Sequence, residues 1–131
     1  FRGSFEHLIN PHITMKEVKR VLKPNGYLYI CAIPNVESYC AKLYREKWNQ
    51  FDAREHIFMF SLKTLKKLVY KFGFIETKSC FFYQETPYAN IQKDMEKVLK
   101  DTRLIDEGKF KEVTVSPPFW ENMLSVLFCK K

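Results

Sequence analysis

Two Glu-His pairs carry the most reactive side-chain combination in this chain of 131 residues, Glu6-His7 near one end and Glu55-His56 in the middle. Imidazole is the side chain that changes charge near neutral pH, which suits it to taking up a proton from a reacting group. Glu55-His56 sits among Trp48, Phe51, Phe58 and Phe60, so its surroundings are aromatic. His56 is therefore a candidate general base. It can equally hold its own loop in shape through a hydrogen bond to the backbone. His7 has the same two readings, a place in a cleft or local packing at the entry to the following helix. The cysteines Cys31, Cys40, Cys80 and Cys129 form no CxxC pair. They read as buried thiols in a reducing compartment, and their spacing supplies no zinc site.

Composition bounds what these residues can belong to. At 46% hydrophobic and 28% charged the chain builds a core and stays in solution, which excludes disorder. Its length suits one domain. No apolar run reaches about 18 residues and no secretory signal opens the chain, so a membrane partner is not expected. A cytoplasmic setting follows from the free thiols. Lys and Arg total 22 against 15 acids, a net +7. The basic residues are spread out, so this charge serves solubility rather than a dense anion-binding patch.

Local signals set the elements that must position the Glu-His pairs. Asn10-Pro11 predicts a helix start, with Thr14 and Glu17 as a second capping option. Met15, Val18, Val21 and Leu22 line its apolar face. Lys23-Pro24-Asn25-Gly26 predicts a turn in which Asn and Gly take positive φ. The unbroken apolar run Tyr27 to Ile33 predicts a strand buried on both faces, as in a parallel sheet. Val36, Tyr39, Cys40, Leu43 and Tyr44 predict a short helix, and Trp48 to Phe60 a loop. Ser61 caps a helix with Leu62, Leu65, Leu68, Val69 and Phe72 inside, ended by Gly73. Phe74 to Tyr83 predicts a strand. Thr86 to Thr102 predicts a helix whose apolar face is Ile91, Met95, Val98 and Leu99. Asn122 to Cys129 is the last strand.

In order and spacing, four stretches resemble the C-terminal half of a class I S-adenosylmethionine-dependent methyltransferase. They are Arg2-Gly3-Ser4-Phe5-Glu6-His7-Leu8 with Asn10-Pro11; Val18 to Gly26 leading to Pro34-Asn35; Trp48 through Glu55-His56, Phe60-Ser61 and Gly73-Phe74; and Pro118-Phe119-Trp120 with Asn122-Met123. The resemblance implies an α/β fold, the second half of a Rossmann-like domain, with a mixed sheet. Its last strand runs antiparallel between the strands at Tyr27 and Phe74. Residues 84–120 are then an insertion between the last two strands that covers the acceptor side. The family's Gly-rich loop and ribose-gripping acid have no counterpart among Gly3, Gly26, Gly73 and Gly108. With a first residue other than Met, this makes residues 1–131 a single domain expected to be a fragment of a larger enzyme, inactive alone.

By the same resemblance, the parent enzyme transfers a methyl group from S-adenosylmethionine to a small-molecule oxygen or nitrogen acceptor. His56, Glu6 and His7 are the implied catalytic residues. Arg2, Gly3 and Ser4 lie at the cofactor edge, and Tyr39, Trp48 and Glu55 beside the acceptor, although Tyr39 and Trp48 also suit a core. In one subgroup of the family a similar Glu-His shares a metal with an acid three residues earlier. Gly3 stands at that place here, so no metal is expected. A strand edge left open at Tyr27 to Ile33 implies a homodimer or association with the missing N-terminal half. Two other classes compete: a structural or dimerisation domain of the same fold, and a basic, aromatic nucleic-acid module. The second is disfavoured because the aromatics fall on core faces.

Overall fold

A computed structural model describes residues 1–84 and 86–131; Glu85, inside the expected insertion, lies outside the described residues. The chain folds as α1 (Pro11–Val21), β1 (Tyr27–Pro34), α2 (Tyr39–Tyr44), α3 (Leu62–Tyr70), β2 (Phe74–Phe82), α4 (Ile91–Asp106) and β3 (Met123–Lys130). Short 3-10 turns stand at Phe5–His7, Arg45–Lys47 and Phe110–Glu112. The three strands form a sheet of order β1-β3-β2, with β3 antiparallel to both neighbours. The strands β1 and β2 thus run the same way, separated by β3. The fold is mixed α/β with the last strand in the middle.

Caps explain most element boundaries. The Asn10 side chain accepts the Ile13 N–H at 3.1 Å and Pro11 opens α1, so the Thr14 alternative is not used. Ser61 and Thr64 close a reciprocal capping box on α3, which satisfies two otherwise unpaired N–H groups. Lys130 Nζ donates to the Lys19 and Leu22 carbonyls at the far end of α1, where a cation suits the helix dipole. In the turn before β1, Asn25 alone takes positive φ (61°). Gly26 is needed for a different reason: a Cβ there would meet the Lys23 carbonyl at 2.8 Å.

One face of the sheet makes the main core. Met15, Leu65 and Val69 from the helices meet Leu28, Ile30, Phe74, Leu124, Val126 and Phe128. Phe5 and Phe60 join them, so the turn carrying Glu6 is anchored in this core. The expectation that β1 is buried on both faces is corrected. Tyr27 is 61% and Tyr29 46% exposed, because α1 and α3 pack on the opposite face. Val21 of α1 is also exposed rather than packed.

A second cluster holds the expected insertion. Cys40, Tyr44 and Trp48 pack with Val98 and Val113. The apolar face expected for α4 is not the buried one: α4 leaves Ile91, Met95 and Leu99 exposed and buries Asp94, Val98 and Asp101. The reason is polar. The Tyr83 and Tyr44 hydroxyls donate to Asp94 and Asp101 at 2.7 and 2.8 Å, so the buried carboxylates are satisfied. The helix also forms later than expected, over Ile91–Asp106 with Asn90 as cap. No helix among the described residues is long and apolar enough to cross a membrane.

Candidate functional site

A cavity of about 1030 Å³ opens where β1 and β2 end and β3 begins, at the upper end of the range for small-molecule pockets. Open α/β sheets bind ligands at the carboxyl edge of their parallel strands, and this cavity occupies that edge. Its walls are mostly apolar, with Tyr29, Phe82, Tyr83, Tyr88 and Met123 among them. Asn49, Gln50 and Asn122 supply polar groups.

The floor carries a bulge that the apolar run did not announce. Register shifts between Ile30 and Ile33, and Ala32 sits at φ 57°. A non-glycine residue there is strained and needs a structural reason. The reason is a buried hydroxyl: Ser125 Oγ accepts the Ala32 N–H at 3.0 Å, replacing the ladder bond that the bulge removes. Both residues line the cavity. Such bulges recur beside active sites because they re-aim backbone groups.

Of the residues expected at the cofactor edge, Arg2 lines the cavity and forms a parallel bridge with Cys31. Gly3 donates its N–H to the Cys31 carbonyl at 2.9 Å with φ 51°, a conformation open to glycine. Ser4 precedes the 3-10 turn, and its side chain makes no capping bond there.

Glu6, His7 and His56 come together, although none of them lines the cavity. One ligand-capable atom from each lies within 4.8 Å of those from the other two. His7 Nδ1 bonds the Glu55 carbonyl at 2.6 Å, and His56 Nδ1 bonds the Gln50 carbonyl at 2.7 Å. A carbonyl only accepts, so both Nδ1 atoms are the protonated donors. The rings are 5.1 Å apart. The Phe58 N–H also donates to the Glu6 carbonyl, so the loop is stitched to the Phe5–His7 turn by backbone and side chain alike. Gln50 connects this cluster to the cavity, since its carbonyl holds His56 while the residue lines the wall.

The residues expected beside the acceptor are dispersed. Trp48 is buried, and its indole N–H donates to Asn122 Oδ1 at 2.8 Å. Tyr39 is half exposed and meets the edge of Phe119 at 6.1 Å. Glu55 points outward and contributes its backbone carbonyl to His7. Thr86, Pro87, Tyr88 and Pro118 of the expected insertion line the cavity, while α4 packs on α2 instead.

Lys47 gave no warning in sequence. Its Nζ donates to the carbonyls of Phe110, Lys111 and Val113 at 2.7, 3.1 and 2.6 Å, and it lies 4.8 Å from the Phe110 ring centre. It gathers the strand-to-strand crossover beside Asn49, whose N–H donates to Ser116 Oγ. No pattern within the neighbouring residues marks a lysine for this role.

Burial sets the acidity of the inner groups. It pushes the Cys40 thiol up to about 12. It also pushes the Tyr44 and Tyr83 hydroxyls upward, helped by their bonds to Asp101 and Asp94. These groups stay neutral and act as packing and hydrogen-bond donors, not as nucleophiles.

A family model described as a methyltransferase domain matches residues 1–76, more than half of the chain. The match takes in Glu6, His7, His56 and the cavity residues Asn49 and Gln50. No curated protein matches the chain.

Proposed function

The chain belongs to the class I S-adenosylmethionine-dependent methyltransferase family, and from that premise we propose that it forms the acceptor side of such an enzyme. The methyl group passes from S-adenosylmethionine to an oxygen or nitrogen of a small molecule. The observation that carries this reading is the large, aromatic-walled cavity at the carboxyl edge of β1 and β2. Its apolar walls suit the body of an organic acceptor, and Asn49, Gln50 and Asn122 suit its polar groups. The parallel β1 and β2 with β3 reversed between them support the C-terminal half of a Rossmann-like domain.

The residues present do not make a full cofactor grip. Among the described residues, no Asp or Glu lines the cavity, and an acid is the usual grip on a ribose. Gly3 is the one glycine near this edge. The 131-residue chain alone is therefore inactive and does not hold S-adenosylmethionine. What its own residues do is shape the acceptor space, keep bulk water from it, and fix the acceptor's orientation, which is where methyl transfer gains most.

Isothermal titration of the isolated chain with S-adenosylmethionine tests the division of labour; micromolar binding would overturn it. In the active enzyme, Met123→Trp should raise KM for the acceptor and leave KM for the cofactor unchanged. A change in the cofactor constant alone would move the cavity to the cofactor's side.

A further inference from the structure

We propose that Glu6, His7 and His56 form a binding site for a divalent first-row transition metal, with further positions left open to water or an oxygen ligand. Among the described residues, the Glu6 Oε2 atom is the one buried side-chain polar atom without a hydrogen-bond partner. The residue is only 3% exposed. A buried carboxylate oxygen with no partner is costly, so such an atom calls for a missing cation or donor. His7 Nε2, 3.8 Å from Glu6 Oε1, is too far to be a hydrogen bond that meets the need.

The histidines are prepared as ligands rather than as charge partners. Each spends Nδ1–H on a backbone carbonyl. That bond fixes the ring and leaves Nε2 as the atom with a free lone pair, the usual outer arrangement around metal-bound imidazole. The three donors come from two segments, with Phe5 and Phe60 of the main core on either side. Tetrahedral metal–ligand bonds of about 2.1 Å place two ligands about 3.4 Å apart. The donor atoms here lie within 4.8 Å of one another, so a bound ion draws the widest pair together by at most about 1.4 Å.

Two imidazoles and one carboxylate are borderline donors, which suits Zn²⁺, Co²⁺ or Fe²⁺ better than Mg²⁺ or Ca²⁺. The third donor answers the expectation that Gly3 leaves Glu6-His7 short of a ligand: it comes from a loop some fifty residues later. With three protein ligands and His7 exposed, the site keeps an open position of the kind found in reactive rather than purely structural centres. It also ties the loop that ends in His56 to the Phe5–His7 turn, and so fixes the Asn49–Gln50 wall of the cavity.

The test is titration of the EDTA-stripped chain with Zn²⁺ and Co²⁺, followed by calorimetry and by visible absorption of the Co²⁺ form. One equivalent should bind, without thiolate-to-cobalt charge transfer, and the melting temperature should rise. The variants E6Q and H56Q each should weaken binding by more than about 100-fold, beyond the ten- to hundredfold that loss of an outer partner gives. Far-UV circular dichroism checks that they fold, and C31S/C80S/C129S should bind as the parent does. Absence of stoichiometric binding, unchanged affinity in both folded variants, or a thiolate spectrum lost in the cysteine variant would each overturn the site.

Discussion

The indole N–H of Trp48 donates to the side-chain oxygen of Asn122 at 2.8 Å, both groups being buried. This bond joins the start of the 48–60 loop to the residue before β3. Asn122 lines the cavity, and Asn49 and Gln50 follow Trp48 into its wall. A core contact and a site contact are thus the same contact.

Trp48→Phe keeps an aromatic ring and removes the donor. The Asn122 oxygen is then buried without a partner, which costs about 1–3 kcal/mol. Urea unfolding should show a lower midpoint at unchanged slope. A midpoint equal to that of the parent would mean that water replaces the indole without loss.

The bulge at Ala32 makes a second prediction. A β-branched side chain at φ 57° is more strained than alanine. Ala32→Val should destabilise by about 1–3 kcal/mol, whereas Ala32→Gly should be within about 1 kcal/mol of the parent. Equal losses for both variants would show that packing, not backbone conformation, governs the position.

Alkaline pH should loosen the insertion. Cys40 ionises at about 12 when folded, against 9.0 as its ordinary value. The hydroxyls of Tyr44 and Tyr83 are shifted the same way. Between these values the folded chain keeps a proton that the unfolded chain has lost, so stability falls as pH rises. For Cys40 alone the slope approaches about 1.4 kcal/mol per pH unit above about pH 9. Urea midpoints from about pH 8 to about pH 10.5 should fall less steeply in Cys40→Ala. Identical slopes would remove Cys40 as the cause.

The open face of the sheet bears on association. Tyr27, Tyr29 and Ile75 are 61%, 46% and 40% exposed on the side away from the main core. At micromolar concentration the isolated chain should sediment as a dimer, since burying about 800 Å² on each partner makes a stable interface. Tyr29→Lys should return it to a monomer. A monomeric parent chain with slow amide exchange along β1 would refute the interface.

Features that neighbours within a few residues decide are legible in the order of the chain. Asn10-Pro11, Ser61 and Gly73 mark helix ends because caps act over one turn. Apolar spacing places α3 and its core face, and the run at Tyr27 announces a strand. The reversed last strand was legible only through resemblance to a family. Tertiary structure alone decided the rest. Whether Tyr27 and Tyr29 are covered depends on which face receives α1 and α3, and an apolar run carries no record of that. The inner face of α4 is polar because two tyrosines from distant segments reach Asp94 and Asp101, so apolar spacing chose the wrong side. Glu6 and His56 are separated by the length of α1, β1 and α2. Their meeting depends on Phe5 and Phe60 sharing one core, a long-range packing relation that no local pattern encodes.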